Sequence, residues 1–260
     1  MKNLYYIQDR WNTVLYHFLY YMICGLADIK EESKPIYFSL PIYKPNLGIE
    51  DEILELLKPD FEYVEDISGF NIINIFGTMA NDENCIAEHY NIFLRNQILI
   101  KNNLQIKNTP FRYIYISRNK SSALMSNAGC FKRNIINEKE LYENVLTKYN
   151  FEFIYLEDYS FKEKIKIFQE AKVIISPCGG ALSMSAFANE NTQIIEITTK
   201  IILNNQFIGT CRGINIKYVM YYNVDIIPEC FNNSSTAVSA AYNFRIRDFE
   251  DFENFIKKYL

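Results

Sequence analysis

At 260 residues, with 49% hydrophobic and 15% aromatic side chains, the chain can bury a core sized for one large domain or two small ones, and general disorder is excluded. A formal charge of −4 argues against a nucleic-acid binder, which presents a basic face. Cys24, Cys85, Cys130, Cys178, Cys211 and Cys230 form no CxxC pair and only 2 histidines accompany them, which argues against a structural zinc site and for free thiols in a reducing cytoplasm.

The chain opens on Met1-Lys2-Asn3 and runs directly into aromatic and polar residues, so no secretory leader is expected. The spacing predicts a long amphipathic helix over 11–31. Its most apolar part, 14–27, is too short for a transmembrane segment and carries His17. A strand over 35–40, a helix over 51–57, strands over 61–64 and 71–75 and a helix over 84–99 follow. The polar stretch 101–110 lacks apolar periodicity, ends in proline and reads as a linker.

The second half is patterned more sharply. Residues 111–117 form a β-branched and aromatic strand, and 119–132 a polar loop of small residues. Asn137 with Glu140 three residues on looks like a capping box, opening a helix that carries Leu141, Val145 and Leu146. A strand over 151–156 precedes a second box, Ser160 with Glu163, whose helix aligns Phe161, Ile165 and Phe168. A strand over 173–176, a glycine turn, a helix through Phe187 and a strand over 193–197 complete the alternation. A final helix over 248–259 aligns Phe249, Phe252, Ile256 and Tyr259, a stripe fit to pack back across the junction of the two halves. Strands alternating with helices predict an α/β chain with parallel, Rossmann-like sheets and right-handed crossovers. Such sheets bind ligands beyond the carboxyl ends of their strands, which brings Ser117-Arg118 and the 176–180 segment to one crevice.

Several residues there carry two readings each. Gly179 and Gly180 between strand and helix make either an ordinary βα turn or a bare helix N-terminus open to a phosphate. No Gly-Lys-Ser/Thr of a Walker loop and no GxGxxG accompanies them. Arg118, closing a strand, either grips a diphosphate or pairs with a surface carboxylate, and Arg133 before a helix start has the same choice. Glu196 on a buried strand must be paired or in use, and a ribose hydroxyl is a natural partner. His17 is either a core-edge histidine or a base facing a cleft. Cys178 has no His or Asp placed beside it by sequence, which favours a small buried residue over a nucleophile.

Taken together, RYIYISR (112–118), RNIINEKEL (133–141), FEFIYLEDYSFKEKIKIFQEAKVIISPCGGALSMSAF (151–187) and IIEI (194–197) resemble the core of glycosyltransferase family 61. WNTVLYHFLYYMICGLADI (11–29) is similar to that family's first helix with its histidine. The resemblance implies a GT-B architecture, two Rossmann-like domains facing a cleft. Residues 1–105 would form the acceptor side, 106–245 the nucleotide-sugar domain, and 246–260 the returning helix. It also implies inverting, metal-independent sugar transfer from a nucleotide-sugar, UDP-linked, to a glycan or other hydroxyl acceptor, with no cofactor and with room for a homo-oligomer. By position Arg118 and Arg133 would grip the diphosphate. Gly179, Gly180, Ala181 and Leu182 would form the donor loop, with Ser117, Ser176 and Cys178 beside it. Asn137 would stand at the helix start, Glu196 near the nucleoside, and His17 in the cleft as base, a role open equally to an Asp or Glu of the first half. The chain departs from the family pattern at Cys178, where His is usual, and at Met184, where Asn is common. Those departures motivate the alternative of an inactive nucleotide- or glycan-binding relative acting as a partner subunit. A Rossmann methyltransferase leaves both arginines without a task.

Overall fold

A computed structural model of the chain describes residues 2–8, 15, 18–30, 33–40, 49–76, 88–106, 108–120, 133–200, 206–228 and 242–260. The first half builds one four-stranded parallel sheet from β1 (Asn3–Gln8), β2 (Ile36–Ser39), β3 (Phe61–Tyr63) and β4 (Asn71–Phe76), in the order β3-β2-β1-β4. Helices α1 (Glu50–Leu56) and α2 (Glu88–Leu94) belong to it, α2 running on as a π-helical turn, Arg95–Ile100. The long first helix is seen as short pieces, a π turn Phe18–Met22 and a 3-10 helix Ile23–Asp28, with Leu15 helical before them. His17 lies outside the described residues. Strand β1 escapes sequence reading because its fully buried side chains, Leu4 and Ile7, stand three apart and no alternation marks it.

The second half builds a five-stranded parallel sheet from β5 (Arg112–Ser117), β6 (Glu152–Tyr155), β7 (Ala171–Pro177), β8 (Gln193–Ile197) and β9 (Lys217–Tyr221), in the order β6-β5-β7-β8-β9. Between the strands run α3 (Glu138–Asn144), α4 (Phe161–Glu170), a 3-10 helix Gly180–Phe187 and the single turn α5 (Gln206–Gly209). An antiparallel pair, β10 (Val224–Pro228) and β11 (Tyr242–Ile246), and helix α6 (Phe249–Ile256) close the chain. Both sheets are Rossmann-like, as the alternation predicts. In the second, the direction of strand addition reverses between β5 and β7, so the crevice expected of a doubly wound sheet lies beyond those two strand ends.

The two expected capping boxes part company. At α4 the Glu163 amide donates to Ser160 Oγ at 3.3 Å and the Ser160 amide donates to Glu163 Oε2 at 2.8 Å. At α3 Asn137 occupies the N-cap without a side-chain cap. Its amide is turned to β11 instead, donating from Nδ2 to the Ile246 carbonyl at 3.0 Å and accepting from the Ile246 amide at 3.1 Å. A carboxamide offers one donor and one acceptor side by side, which matches the edge of a peptide group better than a helix end, where only donors wait.

One apolar layer serves both halves. Ile7, Phe18, Phe38 and Ile53 of the first pack in the same cluster as Ile114, Phe168, Leu182, Phe187 and Ile194 of the second. Polar contacts cross the same surface: Glu52 of α1 accepts from the Phe161 amide at 3.0 Å, and Asn91 of α2 donates from Nδ2 to the carbonyls of Gly209 and Arg212 at 2.9 and 2.8 Å. In the 101–110 stretch read as a linker, the Ile106 amide donates to Gln169 Oε1 at 3.0 Å, so α4 holds it. A second apolar layer covers the other face of the five-stranded sheet, where Tyr115, Val173, Ile195 and Ile197 meet Leu141, Phe252 and Ile256. Helix α6 thus packs its stripe within the second half, and the crossing of the junction expected from the sequence is not seen among these contacts. Among the described residues no helix is long and apolar enough to cross a membrane.

Candidate functional site

Strand β5 ends on Ser117, and Arg118 follows it into the crevice. Strand alternation sends Ile114, Ile116 and Arg118 to the face shared with the first half, and Tyr115 and Ser117 to the opposite face. Arg118 is 7% exposed. Its guanidinium lies directly against the backbone of Gly179: a Cβ on Gly179 would stand 1.3 Å from Nη1 and 2.4 Å from Cζ. Gly179 has an extended backbone, with φ 168°, so its glycine is required by this contact and not by its torsion angles. Around the neighbouring Gly180 an added Cβ would meet nothing within 4 Å.

Residues 121–132 before Arg133 lie outside the described residues; of the stretch read as a loop over 119–132, Asn119 and Lys120 are helical, since the Ser117 hydroxyl accepts from the Asn119 backbone amide as a helix cap does. The Arg133 backbone is left-handed, φ 60°, a conformation costing an L-residue about 1 kcal/mol or more and held only where the surroundings enforce it. From there Nη1 donates to Cys178 Sγ at 3.3 Å. The Cys178 amide is fixed by the Ile197 carbonyl at 2.9 Å, across the ends of β7 and β8. Its thiol also hydrogen-bonds Glu196, whose Oε2 accepts from Tyr218 Oη at 2.7 Å. The result is a buried chain of groups running from two guanidiniums through a thiol to a carboxylate and a phenol.

Burial governs the protonation of this chain. It lowers Arg118, with help from the charge of Arg133 and against the pull of Cys178 and Glu157, to about 10. It pushes the Cys178 thiol up to about 12, Glu196 adding to the effect while both arginines oppose it. It also raises the Glu196 carboxyl, against hydrogen bonds from Cys178 and Tyr218 and the charge of Arg133. A thiol held so high is no nucleophile at neutral pH, in keeping with the small-buried-residue reading of Cys178. Glu196 is paired within the protein, with Tyr218 as a partner that its position in the sequence does not announce.

The other expected contacts divide by side chain. Ser176 is fully buried and its hydroxyl donates to the Pro177 carbonyl at 3.0 Å, and Ser117 donates to Glu138 Oε2 at 2.9 Å, so both hydroxyls are engaged inside the fold. Ala181 and Leu182 belong to the 3-10 helix, where Leu182 and Met184 point into the shared apolar layer. Met184 is fully buried in that layer. Asn137 is held by Ile246, as described. Gly179 and Gly180 begin a helix whose first N–H groups have no intrahelical acceptor.

A further carboxylate stands beside the crevice. Glu138, the first residue of α3, accepts from Tyr115 Oη at 2.8 Å, from Ser117 Oγ and from Asn119 Nδ2. The sequence signal for it is the Asn137-Glu138 pair within RNIINEKEL, a segment of which the capping-box reading uses only Asn137 and Glu140. A cavity of about 510 Å3 opens alongside, lined by Asn119, Asn134, Glu138, Tyr142, Tyr155 and Asn243. Asn119 and Asn134 directly follow the two arginines in the chain.

What the arrangement can do follows from charge. Two guanidiniums meet at the amino end of a helix, Arg118 buried there, with the buried carboxylate of Glu196 on β8 in the same network. Such a site favours an anion with several oxygens. A family model described as Glycosyltransferase 61 matches residues 15–195. No curated protein matches the chain.

Proposed function

Because the chain belongs to glycosyltransferase family 61, we propose that it transfers a sugar from a nucleotide-sugar, UDP-linked, to a hydroxyl of a glycan acceptor, in one inverting and metal-independent step. The observation that carries the donor half of this reading is the meeting of Arg118 and Arg133 at Gly179 and Cys178, at the amino end of the 3-10 helix. A departing nucleoside diphosphate gains negative charge as the bond from its terminal oxygen to the anomeric carbon breaks. Two fixed guanidiniums and the free N–H groups of the helix start would stabilise that charge without reorganising, the part a divalent cation takes elsewhere. On the opposite face of the sugar the acceptor oxygen forms its bond to the same carbon, which inverts it, and passes its proton to a base. His17 is the candidate base, with a carboxylate of the first half as the other choice. The amides and tyrosines of the adjoining cavity supply partners for parts of the donor beyond its diphosphate.

The reading is tested by titrating the purified protein calorimetrically with UDP, GDP, ADP and CDP, then offering the sugar-linked form of the tightest binder and following release of the diphosphate with and without EDTA. Binding of one diphosphate and EDTA-resistant turnover are expected. No binding by any of the four removes the donor site from the arginine pair. Turnover abolished by EDTA and restored by magnesium removes the metal-independent mechanism.

A further inference from the structure

Glu138 is 4% exposed, and the three groups that hold it, the Tyr115 phenol, the Ser117 hydroxyl and the Asn119 amide, are all neutral. A carboxylate buried among neutral donors is a costly way to satisfy three hydrogen bonds, and burial accordingly raises its carboxyl above the usual range. Its placement explains why an acceptor-only group stands there. Ser117 and Asn119 flank Arg118 in the chain, and the Asn119 backbone amide donates back to Ser117 Oγ at 3.2 Å, closing a tight turn around the arginine. Tyr115 and Ser117 project from the face of β5 opposite to Ile114 and Ile116, the side to which Arg118 reaches. Glu138 therefore grips the strand end from behind while the guanidinium lies against Gly179 in front, where the fit leaves no room for even a methyl group.

We infer that Glu138 is a positioning residue for Arg118: its carboxylate locks residues 115, 117 and 119 so that the guanidinium leaves the strand at the angle that brings Nη1 against Gly179. Glutamine weakens the grip, because its Nε2 either makes the Tyr115 hydroxyl an acceptor in place of a donor or meets the donating Asn119 side-chain amide. The functional consequence rests on the donor-binding reading above; the positional one does not.

The experiment is a double-mutant cycle on UDP affinity, with crystal structures of the unliganded wild type and Glu138→Gln. Glu138→Gln is expected to weaken UDP binding about tenfold when Arg118 is present and by less than about twofold in an Arg118→Ala background, because it acts through that side chain alone. Equal weakening in both backgrounds overturns the inference, since a merely structural carboxylate would behave so. In the crystals the Arg118 guanidinium of Glu138→Gln should be withdrawn from Gly179, and an unmoved guanidinium overturns the inference as well. If wild type binds no UDP, the donor reading fails, while the crystal comparison still decides the positioning role. Should Glu138→Gln not fold, Ser117→Ala removes the same grip from the other side, and the same two results are expected of it.

Discussion

The 3-10 helix Gly180–Phe187 has a buried arginine at its carboxyl end and two arginines gathered at its amino end, and the ends teach opposite lessons. At the carboxyl end Arg95, 8% exposed, donates from Nη1 to the carbonyls of Ala186 and Ala188 at 2.8 Å each. A cation belongs where the carbonyls of a helix converge, so charge, dipole and hydrogen bonds agree there. At the amino end Arg118, 7% exposed, shares its surroundings with Arg133 against the direction of the peptide dipoles. Arg118 is pulled down to about 10, and Arg133 holds a left-handed backbone. Residue type and depth are nearly the same, and burial lowers both arginines, but Arg95 has two carbonyls and the Glu190 carboxylate at 3.9 Å, whereas Arg118 has the like charge of Arg133 beside it. An anion at the amino end would lessen the repulsion between those two guanidiniums.

The contrast can be broken most sharply at the carboxyl end. Arg95→Ala should lower unfolding free energy in urea by about 2–4 kcal/mol, because two buried carbonyls lose a charged donor. UDP affinity of the folded protein should stay unchanged. Arg118→Ala should do the reverse, losing about 2–3 kcal/mol of UDP affinity by calorimetry, with unliganded stability equal to wild type or higher. Two variants that lose stability alike would erase the distinction.

Gly179 and Gly180 refine it one step further. Gly179→Ala drives a methyl group into the Arg118 guanidinium and should weaken UDP binding about tenfold, about 1.4 kcal/mol. Gly180→Ala meets nothing within 4 Å, and thermal unfolding without ligand should shift by less than about 0.5 kcal/mol. A large loss of unliganded stability in Gly180→Ala would show that the loop's shape depends on both glycines and that Arg118 is not the reason for either.

The smallest effect is a pH slope from Glu196. Its carboxyl lies above the ordinary value of 4.5 because it is buried. Unfolded, it titrates near that ordinary value, so between the two the folded chain holds one proton more. Stability therefore falls as pH rises through the window, and the penalty is complete above the folded value. The difference in unfolding free energy between wild type and Glu196→Gln, taken from urea titrations, should change in that sense as pH rises above 4.5. Parallel curves would mean that Glu196 carries no buried charge, leaving Glu157 as the carboxylate that acts on Arg118.

Much of this was legible before any coordinates. The alternation from 111 to 197 locates every strand of the switch point, and Ser160 with Glu163 marks a helix start that forms as read. Such features are local: a period or a cap is written in neighbouring residues. What stays hidden is pairing at a distance. Asn137 looks like a cap because nothing near it reveals that Ile246, 109 residues away, offers a better-matched partner. That the Arg118 guanidinium lies against Gly179, and that Met184 packs in a layer with the first half, are likewise contacts between residues far apart in the chain. Strand β1 is invisible for a different reason, since only Leu4 and Ile7 are fully buried and their spacing imitates a helix.

The inward side of the same 3-10 helix has a thermodynamic consequence. Leu182, Met184 and Phe187 sit in one apolar layer with Phe18, Phe38 and Ile53 of the first half. Parting the halves at this surface would strip water-free cover from the very helix that presents Gly179 and Gly180. Heat should then melt both sheets in a single calorimetric transition, its enthalpy that of one unit rather than two. Motion at the crevice is thereby confined to its rim, and the turn at Gly179 and Gly180 stays as rigid as the core behind it.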